Sequence, residues 1–180
     1  MKKTRLDTLL VEQGYFADAG AALRAVLAHE VKVDDVYATS AAVRVAPDAD
    51  IVVKNRKRFV SRGGHKLQGA LNAFGQDVRG IRCLDIGSST GGFTDCMLQN
   101  GAVKVYAVDV GTNQLDWKLR SDPRVVCMEK TNIRYVTPED IDDVLDFASV
   151  DVSFISLTKI LEPARNLLRD GGQMVCLIKP

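Results

Sequence analysis

Histidine and cysteine are scarce in this 180-residue sequence. The four cysteines, Cys83, Cys96, Cys127 and Cys176, have no metal-ligand spacing, and the two histidines are far from each other. A zinc centre is therefore not expected, and no metal ligand is assigned. Three of the cysteines fall in predicted strands, where they read as small buried apolar residues of a reducing cytoplasm. Long apolar runs are also missing, and nothing approaches the ~20 residues needed to span a bilayer. The start, Met1-Lys2-Lys3-Thr4-Arg5, is basic but lacks the apolar stretch of a signal peptide. A cytoplasmic protein without a membrane partner follows.

Net charge is scarce as well, at +1, but it is unevenly spread. Residues 1–53 carry six Lys/Arg and eight Asp/Glu, and residues 67–180 carry twelve and fifteen. The thirteen residues between them, 54–66, hold six cations and no acid. The run Lys54-Asn55-Arg56-Lys57-Arg58 is interrupted at Phe59 and leads to Arg62 and Lys66. A charge run is usually a solvated face or a linker. Here it separates two differently patterned segments, which favours contact with phosphates through Lys54, Arg56, Lys57, Arg58 and Arg62.

Before the run, helical spacing covers Leu6, Leu9 and Leu10, with Gly14 as a stop. Asp18 is placed to cap a second helix over 19–28. Short strand-like pieces follow at 31–33, 43–45 and 51–53, with turns at Asp34-Asp35 and Pro47-Asp48. After the run, Ser61 is placed to cap a helix that carries Lys66, Leu67 and Leu71 and ends near Gly75. Strands are then expected at 81–86, 104–109, 124–129, 146–151 and 173–178, with helices at 93–100, 114–121, 138–142 and 157–169. Such alternation predicts an α/β fold built on a parallel sheet with helices on both faces. The division expected is a small α+β module over 1–53, a basic linker over 54–60 and the α/β domain over 61–180.

The most informative stretch is Asp85-Ile86-Gly87-Ser88-Ser89-Thr90-Gly91-Gly92-Phe93-Thr94. It is a strand end, a glycine turn and a helix start, a combination that lets backbone N–H groups approach a ligand. Ser89 stands where a dinucleotide fingerprint would have its second glycine. The next strand ends in Asp109, placed as an acid reaching ribose hydroxyls would be. An acid before the glycines and another after the second strand look like an S-adenosylmethionine site. Asp85, Gly87, Ser88, Thr90, Gly91, Gly92, Phe93 and Asp109 are its expected residues. Ligands of open α/β sheets bind at the carboxyl ends of strands, so Asp151 and Lys179 should converge there too. Lys66 precedes the first strand. A lysine beside a ribose hydroxyl can accept its proton or steady the developing charge.

Two resemblances extend this reading. Arg5-Leu6-Asp7-x-x-Leu10, the two helices and the small strands resemble an S4 module, a family that binds structured RNA through its helices. That implies RNA contacts from Arg5 and Arg24, although Asp18-Ala19-Gly20 and Ala28-His29-Glu30 depart from the pattern. Ser61-Arg62-Gly63-Gly64-His65-Lys66-Leu67, the glycine turn, Asp109-Val110-Gly111-Thr112-Asn113-Gln114-Leu115 and Asp151-Val152-Ser153-Phe154-Ile155-Ser156-Leu157 resemble the haemolysin-A/TlyA family. This resemblance implies an S4 module joined to a Rossmann-like, FtsJ-like methyltransferase that modifies cytidine 2′-hydroxyls of ribosomal RNA, with ribosomal subunits as partners. Three members of its Lys-Asp-Lys-Glu tetrad map onto Lys66, Asp151 and Lys179, and Asn132 and Ile133 would border the adenine. The glutamate would lie beyond Pro180. The expectation is therefore a C-terminally truncated chain without turnover, whose exposed edge strand at 173–178 self-associates. An RNA-binding protein that keeps cofactor affinity without turnover is the alternative. A membrane-active haemolysin is disfavoured by the missing apolar and basic amphipathic segments.

Overall fold

The computed structural model describes residues 2–179 and divides into two compact units, with the boundary between Arg58 and Phe59. The first unit contains β1 (Thr4–Arg5), α1 (Leu6–Glu12), α2 (Ala19–Leu27), β2 (Val31–Val33), β3 (Val36–Tyr37), β4 (Arg44–Val45) and β5 (Ile51–Val53). Asp18 is extended and accepts the Ala21 N–H at 2.8 Å, which caps α2. Ala22, Ala25 and Val26 follow at helical spacing and share a core with Leu6, Leu9 and Leu10 of α1. Asp34 and Asp35 both take positive φ, 50° and 65°, as the tight turn of a β2–β3 hairpin requires. The three-stranded sheet runs β3-β2-β5, and β1 pairs separately with β4. Neither β1 nor β3 was expected. Each is two residues long and is defined by its partner strand, not by its own pattern.

The basic run is not a free linker. The Arg56 guanidinium donates to the Tyr15 carbonyl at 2.8 Å and sits 4.7 Å over the Phe16 ring, within the first unit. Phe59, three residues later, is 2% exposed in the core of the second unit.

That unit contains α3 (Gly63–Phe74), β6 (Arg82–Ile86), α4 (Gly92–Gln99), β7 (Lys104–Val108), α5 (Trp117–Arg120), β8 (Val125–Met128), β9 (Leu145–Val150), α6 (Leu161–Leu167) and β10 (Leu168–Cys176). All five strands are parallel, in the order β10-β9-β6-β7-β8, a Rossmann-like sheet. Alternation along the strands feeds two cores. Cys83, Val105, Ala107 and Phe147 pack with Leu67, Met97 and Leu119 on one face. Leu84, Ile86, Val108, Ala148 and Val150 pack with Ile160, Ala164 and Leu167 on the other. Chain order reverses between β6 and β9, so the crevice of this sheet opens beyond their carboxyl ends.

Three local expectations are corrected. Ser61 does not cap α3 with its side chain; its carbonyl accepts the Gly64 N–H at 3.2 Å. The helix expected over 138–142 is a single 3₁₀ turn, Pro138–Asp140. The helix expected over 157–169 is a 3₁₀ turn, Leu157–Lys159, followed by α6. Pro163 has no N–H to continue an earlier helix, and it sits in the first turn of α6, where that group has no partner to lose. Leu168 then turns extended to pair with Leu145, and the register shifts across Gly171 (φ 74°) before Gln173 pairs with Phe147.

Candidate active site

The turn after β6 is fastened on every side. The N–H groups of Gly87 and Ser88 both donate to the Val108 carbonyl, at 2.9 and 3.1 Å. Ser89 donates to Asp109 Oδ2 at 2.8 Å, and the Thr90 carbonyl accepts the Asp116 N–H at 3.1 Å. Gly87 has φ 79°, and a Cβ there would lie 2.3 Å from the Asp151 carbonyl oxygen. Only glycine satisfies both conditions. Gly91 (φ 97°) opens α4, and a Cβ on it would strike the Leu119 side chain at 2.3 Å.

Two cavities flank this turn. One, of about 490 Å³, is lined by Arg62, Lys66, Gly87, Ser88, Thr90, Gly92, Phe93 and Asp151, together with Ser61, Gly63 and Ser89. The other, of about 400 Å³, is more apolar. Asp109, Asn132, Ile133, Asp151 and Gly87 line it beside Val110, Gln114, Thr131, Ser153 and Phe154. Asp151 lies on both. Lys179 lines neither cavity but places its Nζ 2.5 Å from Asp151 Oδ1 and 2.9 Å from Ser153 Oγ. Lys66 and Asp151 thus share a cavity, and Asp151 and Lys179 form an ion pair.

The three acids at the strand ends occupy different environments. Asp109 holds both loops that border the apolar cavity, since its carboxylate accepts the N–H of Ser89 and, at 2.7 Å, of Gly111. Asp85 lines neither cavity. It is fully buried under the turn, accepting the Thr94 hydroxyl at 2.6 Å and the Ser149 hydroxyl at 3.3 Å. Asp85 is therefore a support of the turn rather than part of the cavity wall. Gly91 is likewise absent from the walls and serves the packing of α4 against Leu115 and Leu119.

Sequence reasoning missed Ser89, Gln114, Thr131, Ser153 and Phe154. Thr131 and Ser153 each lie three residues past a strand's carboxyl end, which is the signal that would have found them. Phe154 is fully exposed on the rim with φ 64°, an unusual backbone for an aromatic residue. Among the described residues no group of His, Cys, Asp and Glu could hold a metal ion.

Burial raises the Asp85 carboxyl from 3.8 to about 6, against the opposing pull of Thr94 and Ser149, and the nearby Asp151 charge adds to the rise. The folded chain thus holds this proton more tightly than the unfolded chain does. The stability this carboxyl contributes is complete below about pH 4 and is lost as pH rises through about 6. Asp85→Asn keeps the shape and removes the charge. Relative to the parent, it should gain on the order of 2–3 kcal/mol between pH 4.5 and 7.5. Urea unfolding at both pH values checks this, and an identical pH dependence in the two proteins contradicts it.

Residues 59–180 match the FtsJ-like methyltransferase family. YqxC of Bacillus subtilis is 51% identical over 99% of this chain, which spans 64% of that protein's length. The 16S/23S rRNA (cytidine-2′-O)-methyltransferase TlyA of Mycobacterium tuberculosis is 42% identical over 99% of this chain and 68% of its own. A solved structure of a hemolysin-named protein from Streptococcus thermophilus aligns over 100% of this chain and 67% of its own, at 49% identity and a TM-score of 0.68. With its parallel sheet, glycine turn and strand-end acids, the chain belongs to the FtsJ-like methyltransferase family.

Proposed function

We propose that the protein is an S-adenosylmethionine-dependent 2′-O-methyltransferase acting on cytidine ribose in ribosomal RNA. The observation that carries this reading is the place of Asp151. It sits on the wall common to both cavities and is paired with Lys179, so a cofactor on the turn and a ribose hydroxyl would meet beside an acid–amine pair. The cradle suits the cofactor, because Gly87 leaves no side chain between the turn and Asp151. Asp109, Asn132 and Ile133 would hold the adenosine end, and Gly87, Ser88, Thr90, Gly92 and Phe93 the amino-acid end. When bound, the cofactor supplies an electrophilic methyl group. The chain's own part is to hold the hydroxyl in line and govern its proton. The Lys179 ammonium steadies negative charge developing on the oxygen, the Asp151 carboxylate is the adjoining acceptor, and Lys66 orients the pair from the polar cavity.

For RNA we infer contacts from cations that have no competing task. Arg5 is paired with Asp7 at 2.6 Å, and Arg56 is held by Tyr15 and Phe16. Arg24, Lys54, Lys57 and Arg62 are exposed, and the first unit serves as the S4-like RNA-binding module. The 16S and 23S rRNA on which TlyA of Mycobacterium tuberculosis acts support ribosomal subunits as partners. No described helix is long and apolar enough to cross a membrane; the ribosomal substrate is what supports the cytoplasm as the place of action. β10 pairs only with β9 among the described strands, and its partly buried Met174–Cys176 segment is an apolar edge.

Transfer of labelled methyl from S-adenosylmethionine to ribosomal subunits, traced to a cytidine 2′-oxygen, tests the function. RNA binding and cofactor affinity without transfer would favour the non-catalytic alternative. Asp109→Ala should weaken cofactor binding by about 1.5–3 kcal/mol, roughly one to two orders of magnitude in Kd. Unchanged affinity by calorimetry would place the ribose elsewhere. Replacing Lys54 and Lys57 with Ala should lower the salt dependence of RNA affinity by about two units, close to one per phosphate contact. An unchanged slope moves the RNA surface off this run. In light scattering, the 180-residue chain should show concentration-dependent association through β10, and a monomer at all concentrations would refute it.

A further inference from the structure

The Asp151 carboxylate is not the only group that holds Lys179. The Lys179 ammonium also donates to Ser153 Oγ at 2.9 Å. The two acceptors are two residues apart, just past the carboxyl end of β9, and the chain leaves that end through Phe154 with φ 64°. Lys179 arrives from β10, where Cys176 pairs with Val150 and the Leu177 N–H bonds to the Val150 carbonyl at 2.8 Å. One strand end therefore grips the lysine of its neighbour at two points.

That second point has a mechanical consequence. An ammonium has three N–H donors on a flexible four-carbon stem. A single ion pair leaves it free to rotate about the carboxylate and to swing with its stem, as exposed pairs do. The Ser153 hydroxyl adds a directional hydrogen bond to that ion pair, which fixes one donor and limits the rotation of the other two. We propose that Ser153 is a positioning residue for methyl transfer, whose hydroxyl locks the Lys179 ammonium beside Asp151 and leaves an N–H for the hydroxyl that receives the methyl group. Ser153 lines the same cavity as Asp151, so the lock borders the site. This rests on the 2′-O-methyltransferase reading, and its test separates the two.

The test uses Ser153→Ala and Ser153→Thr in the full chain. Trace acetylation with acetic anhydride at fixed pH, followed by mass spectrometry, reads the reactivity of Lys179 against exposed Lys159. Ser153→Ala should raise the Lys179 rate about threefold or more, for one lost hydrogen bond, while Lys159 stays constant. Ser153→Thr, which keeps the hydroxyl, should restore it. Equal Lys179 rates in parent and Ser153→Ala overturn the proposal, whether or not the protein turns over. In methyl transfer, Ser153→Ala should lower kcat and leave KM for S-adenosylmethionine unchanged, with Thr restoring kcat. A rise in KM alone overturns it too. A parent with no transfer to RNA defeats the functional reading and leaves the acetylation result to decide on Ser153.

Discussion

The contact between Gly87 and the Asp151 carbonyl constrains most of what surrounds it. β6 and β9 are adjacent, and their chains leave the sheet so close together that a Cβ on Gly87 would lie 2.3 Å from that oxygen. Because no side chain fits, the turn can lie flat over the strand ends, and its next residues reach Val108 and Asp109 of the β7 side. The same closeness sets Asp151 on the wall of both cavities. The glycine turn and the acid–amine pair are therefore two results of one packing constraint.

Carboxylates gathered at strand ends repel one another, and each of the three is satisfied by a different means. Asp109 takes two backbone N–H groups and so becomes a tie between loops. Asp151 takes the Lys179 ammonium. Asp85, with no cation, has hydroxyl partners and the highest cost of charge, which is why its carboxyl rises to about 6. The arrangement keeps the supporting acid behind the turn and the acids that face the cavities in front of it.

Much of this was legible in the residues themselves. The glycine turn, the parallel sheet and the Asp18 and Gly75 caps each depend on local chemistry, and each is found in place. Asp85 and Asp109 looked equivalent in sequence, since both end strands. Their difference is tertiary: Thr94 and Ser149 close over one, and loop N–H groups meet the other. Arg56 looked like any other cation of the basic run. Its task comes from Tyr15 and Phe16, some 40 positions earlier, and no local pattern announces such a partner. The motif around Ser153 gives that residue no role, because its partner, Lys179, is 26 residues away.

The position of Lys179 has a further physical consequence. It hangs from β10, which among the described strands has one neighbour, and whose pairing with β9 is interrupted between Leu168 and Gln173. Edge segments with broken ladders open more readily than central strands. Asp151 and Ser153, by contrast, follow β9, which is paired on both sides. The acid and hydroxyl are thus held by a strand paired on both sides, and the amine by an edge strand with a broken ladder. Whatever orders β10 will also order the Lys179–Asp151 pair, so edge pairing and the geometry of the site are coupled through the same few backbone hydrogen bonds.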